Sequence, residues 1–242
     1  MIQTSLSVED PSFMPTVPDA SDPWLMAARR AEASRTAGAR VITHRVRHAQ
    51  VLAAVRRRIA SEGRRGLSLG MIASDCNTTV QTLFNLAGNK SELIKAAISD
   101  HGSWLNLTAH HWKSYPVQAL AFADAIWASA RRNPEYVKEA AFMYNDMCRS
   151  SGGDARSAGA ALVGSVLTDI CEDVRTSYNI SSVAGVLSSL IATTMLEWAQ
   201  DGLDTGRLRT ELINRVGLVV TGAVRPSKGA QIEAWLARMG AD

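Results

Sequence analysis

The sequence predicts an all-α fold, and three observations support this prediction. Alanine is abundant and prolines are rare after Leu25, while strand-like alternation of Val, Ile, Thr and Tyr is hard to find. Apolar residues recur at helical spacing through most of the chain. Hydrophobic residues make up 46% of the 242 residues, which is enough to bury a core in one large domain or two modest ones.

Charge is distributed unevenly and divides the chain into three segments. Residues 1–39 carry three Arg and five acidic residues, residues 40–95 carry ten Lys and Arg and three acidic residues, and residues 96–242 carry thirteen basic and fifteen acidic residues. The net charges are therefore −2, +7 and −2. A basic segment of this kind is typical of a domain that approaches phosphate groups, although a solvated helix face explains the charge equally well. We predict one domain over 40–95 and a larger one over 96–242.

The first segment, residues 1–39, is predicted to be a mobile extension. Four of the seven prolines fall in it, among Asp, Ser and Thr, so it has little apolar surface to bury. A short helix is predicted over 22–38, with Asp22 as its cap and Pro23 at its first position.

A first long helix is predicted from Thr43 to Glu62, with Gly63 as its stop. Its apolar residues recur at helical spacing, and its arginines fall mostly on other faces. The apolar residues are Val51, Leu52, Val55 and Ile59, and the arginines are Arg45, Arg47, Arg56, Arg57 and Arg58.

Two short helices joined by a tight turn are predicted next. Ser68 is the expected cap of a second helix that ends near Cys76. Asn77 tolerates the left-handed backbone that the turn needs, and Thr79 can cap a third helix from residue 80 to 86 or 87.

A fourth, long helix is predicted to begin after Gly88. Asn89 precedes Glu92 by three residues, which resembles a capping box. A helix, a short helix, a tight turn and a second short helix form the layout of a helix-turn-helix, whose second short helix enters the major groove of DNA.

The residues of this region resemble the TetR family of transcriptional regulators over 44–98, about a quarter of the chain. The matching residues are Ile72-Ala73, Thr82-Leu83-Phe84 and Asn89-Lys90-Ser91-Glu92-Leu93. The chain departs from the family pattern at Asn77, Thr78, Phe84 and Ala87, where the family commonly has glycine, valine, tyrosine and another aromatic residue. Phe84 therefore lacks a hydroxyl that reaches a phosphate in relatives.

The third helix is predicted to turn one face toward DNA. Leu83 packs inward with Leu86 or Ala87, and the opposite side consists of Val80, Gln81, Phe84 and Asn85. The amides of Gln81 and Asn85 suit an adenine edge, with Gln81 the first choice, and the methyl groups of Val80 or Thr82 suit a thymine methyl.

Residues beside this helix are predicted to hold the DNA backbone. Lys90 opens the fourth helix, where the helix dipole and free N–H groups add to its charge, and Ser68 and Thr79 open the second and third helices. Arg45 and Arg47 are expected to reach phosphates or an adjacent minor groove. The alternative for all these residues is an ordinary solvent-facing role.

Helical patterns continue through the larger domain. Helices are predicted over 117–132, from Pro134 to about Arg149, and over 155–177, 182–200, 207–221 and 227–239, with Ser150–Asp154 as a loop. The resemblance implies that this domain binds a small effector and that the helices over 182–200 and 207–221 pair with those of a second copy as a four-helix bundle.

Two sets of residues fit these implied roles, and core packing is the alternative for both. An apolar effector pocket is predicted from Trp104, His110, His111, Trp112, Trp127, Phe142, Met143 and Met147. A homodimer interface is predicted from Leu187, Leu190, Ile191, Thr194, Leu212, Val216 and Val219.

Other kinds of protein are disfavoured by what the sequence lacks. The three cysteines are far apart, which fits a reducing cytoplasm and neither disulfides nor a zinc knuckle. No signal peptide or apolar stretch of membrane-spanning length is recognised. Asp100, His101, His110 and His111, or Asp169, Glu172 and Asp173, have helical spacings that a metal could use, but a solvated face is favoured.

No motif of a known catalytic site is found, so we expect no enzyme, cofactor or metal. The sequence predicts a homodimeric, sequence-specific regulator of transcription that binds a near-palindromic operator and is released by a small apolar effector. Repression is the family's usual output. The competing hypothesis is an all-helical enzyme or carrier bundle that uses its helix-turn-helix for protein contacts.

Overall fold

The all-α prediction is confirmed by a computed structural model, which describes residues 39–150, 154–202 and 204–239. In these ranges one isolated β-bridge joins Val174 to Val224 and no strand is found. The helices are α1 (Ala39–Gly66), α2 (Leu69–Asp75), α3 (Val80–Ala87), α4 (Lys90–His111), α5 (Gln118–Arg132), α6 (Pro134–Ser150), α7 (Asp154–Ser165), α8 (Ile180–Asp201), α9 (Thr205–Ala223) and α10 (Pro226–Met239).

The described residues form two compact units. The first contains the chain up to His101 together with Arg132–Ala140, and the second contains Gly102–Arg131 and the chain from Ala141 onward. The first unit is thus larger than the basic segment 40–95, from which we predict the first domain. The extension predicted over 1–39 and its helix over 22–38 lie outside the described residues, which begin at Ala39.

Two contacts explain why the beginning of α6 belongs to the first unit. The backbone N–H of Arg64 donates to the Glu139 carboxylate at 3.1 Å. The rings of His101 and Tyr136 meet edge to face, with their centroids 5.1 Å apart. Burial, and secondarily the charge of Arg56, lowers the pKa of His101 to about 3, so this imidazole is neutral at physiological pH.

Helix α1 provides the core of the first unit. Val51, Val55 and Ile59 are fully buried, as their spacing predicts. The predicted stop at Gly63 is seen as a kink, because Gly63 has a φ of 65° that other residues rarely adopt. Arg56 is buried with the apolar residues and not on another face, and its Nη1 donates to the Asp100 carboxylate on α4 at 2.6 Å. A buried guanidinium needs such a partner.

A bidentate ion pair fixes α2 against α1. The Nε and Nη2 atoms of Arg58 donate to the two carboxylate oxygens of Asp75, each at 2.7 Å. Asp75 is the last residue of α2, so the pair holds the end of that helix. Hydrogen bonding to Arg58 is the main reason why the pKa of Asp75 lies below its ordinary value of 3.8.

The second unit is a stack of helices in which α8 packs on α7 and α9, and α9 packs on α10. Leu187, Trp198, Leu208 and Leu212 are among its fully buried side chains. Gly159 on α7 lies so close to α6 that a Cβ atom there would be 2.0 Å from the Tyr144 hydroxyl. Any larger residue at this position would require the Tyr144 side chain to move.

The prediction of a single helix over 155–177 is wrong beyond Ser165, where α7 ends. A 3-10 helix over Thr168–Ile170 follows, and the chain then runs antiparallel to the junction of α9 and α10. The N–H of Arg175 donates to the Ala223 carbonyl at 2.9 Å, and the N–H of Arg225 donates to the Asp173 carbonyl at 2.8 Å. These long-range bonds satisfy backbone groups that a helix would otherwise have paired.

We expect the Asp75 carboxyl to titrate below 3.8 because its ionised form accepts both bonds from Arg58. The pair therefore stabilises the fold above that pH, and this contribution is lost as the pH falls through the lowered pKa. In Arg58→Ala the midpoint should rise, as followed by carboxyl carbon NMR shifts, because the largest cause of the lowered pKa is removed.

The matched control for this titration is Arg57→Ala, because Arg57 affects the same carboxyl only through its charge. The Asp75 midpoint should move less in this variant than in Arg58→Ala. Equal shifts in the two variants would show that Arg58 acts as a distant charge and not as a hydrogen-bonded clamp.

Candidate nucleic-acid interface

The candidate interface is the outer side of α3, which the first unit holds from one side only. Leu83 is 1% exposed and anchors the helix against the core. On the opposite side, Val80 is 37% exposed and Phe84 is 45% exposed, and Gln81 and Asn85 are also exposed. Large apolar side chains at these exposures are available to a partner.

Local sequence explains why α3 begins where it does. Asn77 has a φ of 47°, the left-handed conformation predicted for the turn. The Thr79 hydroxyl caps the helix by accepting a hydrogen bond from the Thr82 N–H at 3.1 Å, as predicted. The hydroxyls of Thr79 and Thr82 also bond each other at 2.9 Å, so both are engaged within the helix start.

The exposed face of α3 carries amides and apolar groups but no charge. Its sequence from Val80 to Ala87 contains no acidic or basic residue. The Gln81 amide nitrogen donates to the Asn85 carbonyl oxygen at 3.2 Å. Such a surface has hydrogen-bonding groups of the kind that read base edges, while cations must be supplied from beside it.

Lys90 is the first residue of α4, where prediction places it. The Asn89 side chain accepts a hydrogen bond from the Glu92 N–H at 3.0 Å, which confirms Asn89 as the cap. Lys90 therefore lies at the positive end of the helix dipole and adds its own charge there, which favours an anion at this position.

The structure describes some, but not all, of the other residues predicted to bind the DNA backbone. Ser68 occupies the cap position of α2, but its exposed hydroxyl makes no capping bond and stays available. Arg47 is exposed on α1, and the side chain of Arg45 lies outside the described part of the chain. Sequence analysis did not predict that Arg58 positions α2. The pattern that indicates this role is an arginine on α1 together with an acidic residue at the end of α2.

The residues predicted to line an effector pocket are only partly internal. Met143 is buried, and Trp104, Trp127, Phe142 and Met147 are half-buried. His111 is exposed, with its Nδ1 atom 2.7 Å from the carbonyl of Leu107 in the same helix, so it does not line an interior cavity.

A charged network lies beside Trp127. The guanidinium groups of Arg131 and Arg209 lie 5.2 and 4.7 Å from the centroid of its ring. Arg209 also donates to both carboxylate oxygens of the buried Asp124, at 2.7 and 3.2 Å, and the Tyr115 hydroxyl donates to the same carboxylate. Burial and the charge of Asp124 raise the pKa of Tyr115.

Four residues of the predicted dimer interface require correction. Leu187, Thr194, Leu212 and Val216 are buried in the core of their own protomer, because their stripe faces inward. Leu190, Ile191 and Val219 are half-buried beside them. The outward sides of α8 and α9 instead expose Val186 and Leu218, which are 54% and 76% exposed.

Helix α8 is also long and apolar enough to span a membrane, by length and composition alone. This differs from the sequence-based expectation that no stretch has this property. Met195 and Trp198 on the same helix are buried against the protomer, so core packing accounts for part of its apolar character.

A cleft of about 270 Å³ lies between α8 and α9 and includes none of the eight residues predicted to line an effector pocket. Within it, Arg215 forms ion pairs with Glu197 at 2.8 Å and with Glu211 at 2.9 Å. Among the described residues, no group of three or more His, Cys, Asp and Glu side chains is arranged to hold a metal ion.

Comparison with known proteins gives matches in structure but not in sequence. No protein-family model and no curated protein sequence matches the chain. FadR of Thermus thermophilus, a TetR-family transcriptional repressor solved in complex with lauroyl-CoA, is 18% identical, with 74% of this chain and 96% of that chain covered at a TM-score of 0.58.

Two further solved structures are similar over the same extent. A TetR transcriptional regulator from Rhodococcus sp. RHA1 is 14% identical, with 72% of this chain and 96% of that chain covered at a TM-score of 0.60. A TetR-family regulator from Pectobacterium atrosepticum is 15% identical, with 78% and 98% covered at a TM-score of 0.53. The chain therefore has the fold of the TetR family of transcriptional regulators.

Proposed function

We propose that this protein is a cytoplasmic, sequence-specific DNA-binding regulator of transcription that acts as a repressor until a small effector releases it. The observation that carries the proposal is α3, which is anchored through Leu83 and presents an uncharged face of amides and apolar groups to solvent. The fold shared with transcriptional regulators supports it. No observation favours the competing enzyme or carrier function.

In this proposal α3 enters the major groove and its neighbours hold the DNA backbone. Gln81 reads a base edge, and Val80, Phe84 and the methyl group of Thr82 contact apolar parts of the bases. Lys90, Ser68 and Arg47 bind phosphates, and Arg45 does so or reaches a minor groove. Thr79 contributes mainly by capping α3, because its hydroxyl is engaged there.

A homodimer would bring two copies of α3 to successive major grooves, so the operator should be nearly palindromic. We place the dimer contact on the outward sides of α8 and α9, around Val186 and Leu218. Leu190, Ile191 and Val219 flank these residues and are only half-buried in the protomer. Two exposed apolar side chains on neighbouring helices form a surface that a second copy can cover.

The effector is proposed to be small and largely apolar, bound in the second unit near Trp104, Trp127, Phe142, Met143 and Met147. The Thermus thermophilus neighbour was solved with lauroyl-CoA, which has a long apolar chain. Helix α4 contributes Lys90 to the first unit and Trp104 to the second, and α6 likewise has residues in both units, so these two helices are the segments through which we propose that an effector acts on DNA binding. Effector and DNA would then oppose each other by one coupling free energy.

Two substitutions should separate base reading from phosphate binding. Gln81→Ala should change the preferred sequence, at a cost of about 1–3 kcal/mol at one base pair. Lys90→Ala should weaken binding to all sequences alike and flatten the dependence of affinity on salt. Titrations of selected and scrambled DNA at several salt concentrations measure both effects.

The reverse pattern in these titrations would contradict the assignment of the two residues. Failure of the unmodified protein to enrich any sequence from random DNA would contradict the proposed function itself. It would leave the competing hypothesis that the helix-turn-helix serves protein contacts.

The dimer contact can be tested with a charged substitution on its surface. Leu218→Asp should raise the dimer dissociation constant on the order of 100-fold, about 3 kcal/mol, because a carboxylate would be buried without a partner. Sedimentation equilibrium measures the constant. Leu107→Asp is the matched control, since Leu107 is also an exposed leucine, 43% exposed on α4. If the two variants dimerise equally well, the contact lies elsewhere.

A further inference from the structure

The two amide side chains on the outer face of α3 are joined to each other. Gln81 and Asn85 are four residues apart on the helix, and the Gln81 nitrogen donates to the Asn85 oxygen at 3.2 Å. The hydroxyls of Thr79 and Thr82 bond each other at 2.9 Å, which uses one of their two O–H groups at the start of the helix. The joined amides are thus the main side-chain hydrogen-bonding groups of the exposed face.

A count of donors and acceptors shows what the internal bond leaves over. A primary amide has two N–H donors and a carbonyl oxygen with two lone pairs. The bond uses one N–H of Gln81 and one lone pair of Asn85. Gln81 keeps both lone pairs of its oxygen and its second N–H, the acceptor and donor that together match the N6 amino group and N7 atom of adenine. Asn85 keeps its two N–H groups, but its oxygen has one lone pair left and is committed to Gln81.

We propose that Gln81 reads a single A·T base pair and that Asn85 is a positioning residue for Gln81 and not a second, independent reader. The inference rests on the proposed function and specifies how its central helix recognises DNA. A free glutamine on a helix surface has several rotatable bonds, and ordering it on DNA costs conformational entropy. A bond from Asn85 orients the amide plane beforehand, so that less of this entropy remains to be lost on binding.

The experiment compares base-pair discrimination in single and double variants. The unmodified protein first selects an operator from random DNA, and each base pair of one half-site is then replaced in turn. Dissociation constants are measured for the unmodified protein, Gln81→Ala, Asn85→Ala and the double variant. Both single variants should lose about tenfold or more of the discrimination at the same base pair, and the double variant should lose no more than either.

A conservative variant separates positioning from simple loss of structure. Asn85→Asp retains an oxygen that accepts from Gln81 but has no N–H group to donate to a base. It should keep the preference at the Gln81 base pair, while its negative charge weakens binding to every sequence alike. Thermal unfolding of each variant should change little, because both side chains are exposed.

Several results would overturn the inference. The two alanine variants could relax discrimination at different base pairs with losses that multiply in the double variant, which is the behaviour of independent readers. Asn85→Ala could leave discrimination unchanged, or Asn85→Asp could alter the preference at a second base pair. If the unmodified protein selects no DNA at all, the proposed function fails and the inference falls with it.

Discussion

The first unit depends on one constraint: α3 has only eight residues, too few for a helix to be stable in water by itself. Packing against the rest of the unit must therefore hold α3 in place. A side of the helix that packs in this way is no longer available to bind another molecule. The structure satisfies both demands by burying Leu83 and capping the helix start with Thr79. The left-handed Asn77 turns the chain tightly enough for α2 and α3 to share the core provided by α1.

Arginines within the basic segment serve this constraint as well as the charge of the surface. Arg56 is buried and bonded to Asp100, and Arg58 holds Asp75 at the end of α2. Each ties α1 to another helix of the first unit. Loss of Asp100 would leave the buried charge of Arg56 without a partner, which is costly, whereas Arg58 is partly exposed and depends less on its partner. The positive charge of residues 40–95 therefore overstates what is available for phosphates, since at least three of its cations, Arg56, Arg58 and Lys95, have carboxylate partners inside the unit.

Sequence reasoning succeeded where local chemistry decides the structure. The caps at Thr79 and Asn89 depend on neighbours within a few residues, so the bounds of α2 and α3 and the start of α4 could be predicted. The kink at Gly63 was also found, but α1 extends beyond the predicted Thr43–Glu62 at both ends. Sequence reasoning failed to predict the end of α7, because the chain near Val174 is fixed by a bridge to Val224, fifty positions away in sequence. Periodicity also located the stripe containing Leu212 but could not show that it faces its own protomer.

The close approach of α7 to α6 has a consequence for redesign of this part of the chain. A Cβ atom at position 159 would lie 2.0 Å from the Tyr144 hydroxyl and 2.7 Å from the Ser188 hydroxyl oxygen, so these side chains would have to move before a larger residue could be accepted there. Engineering of the α6–α7 contact should therefore treat positions 144 and 159 as one unit and change them together.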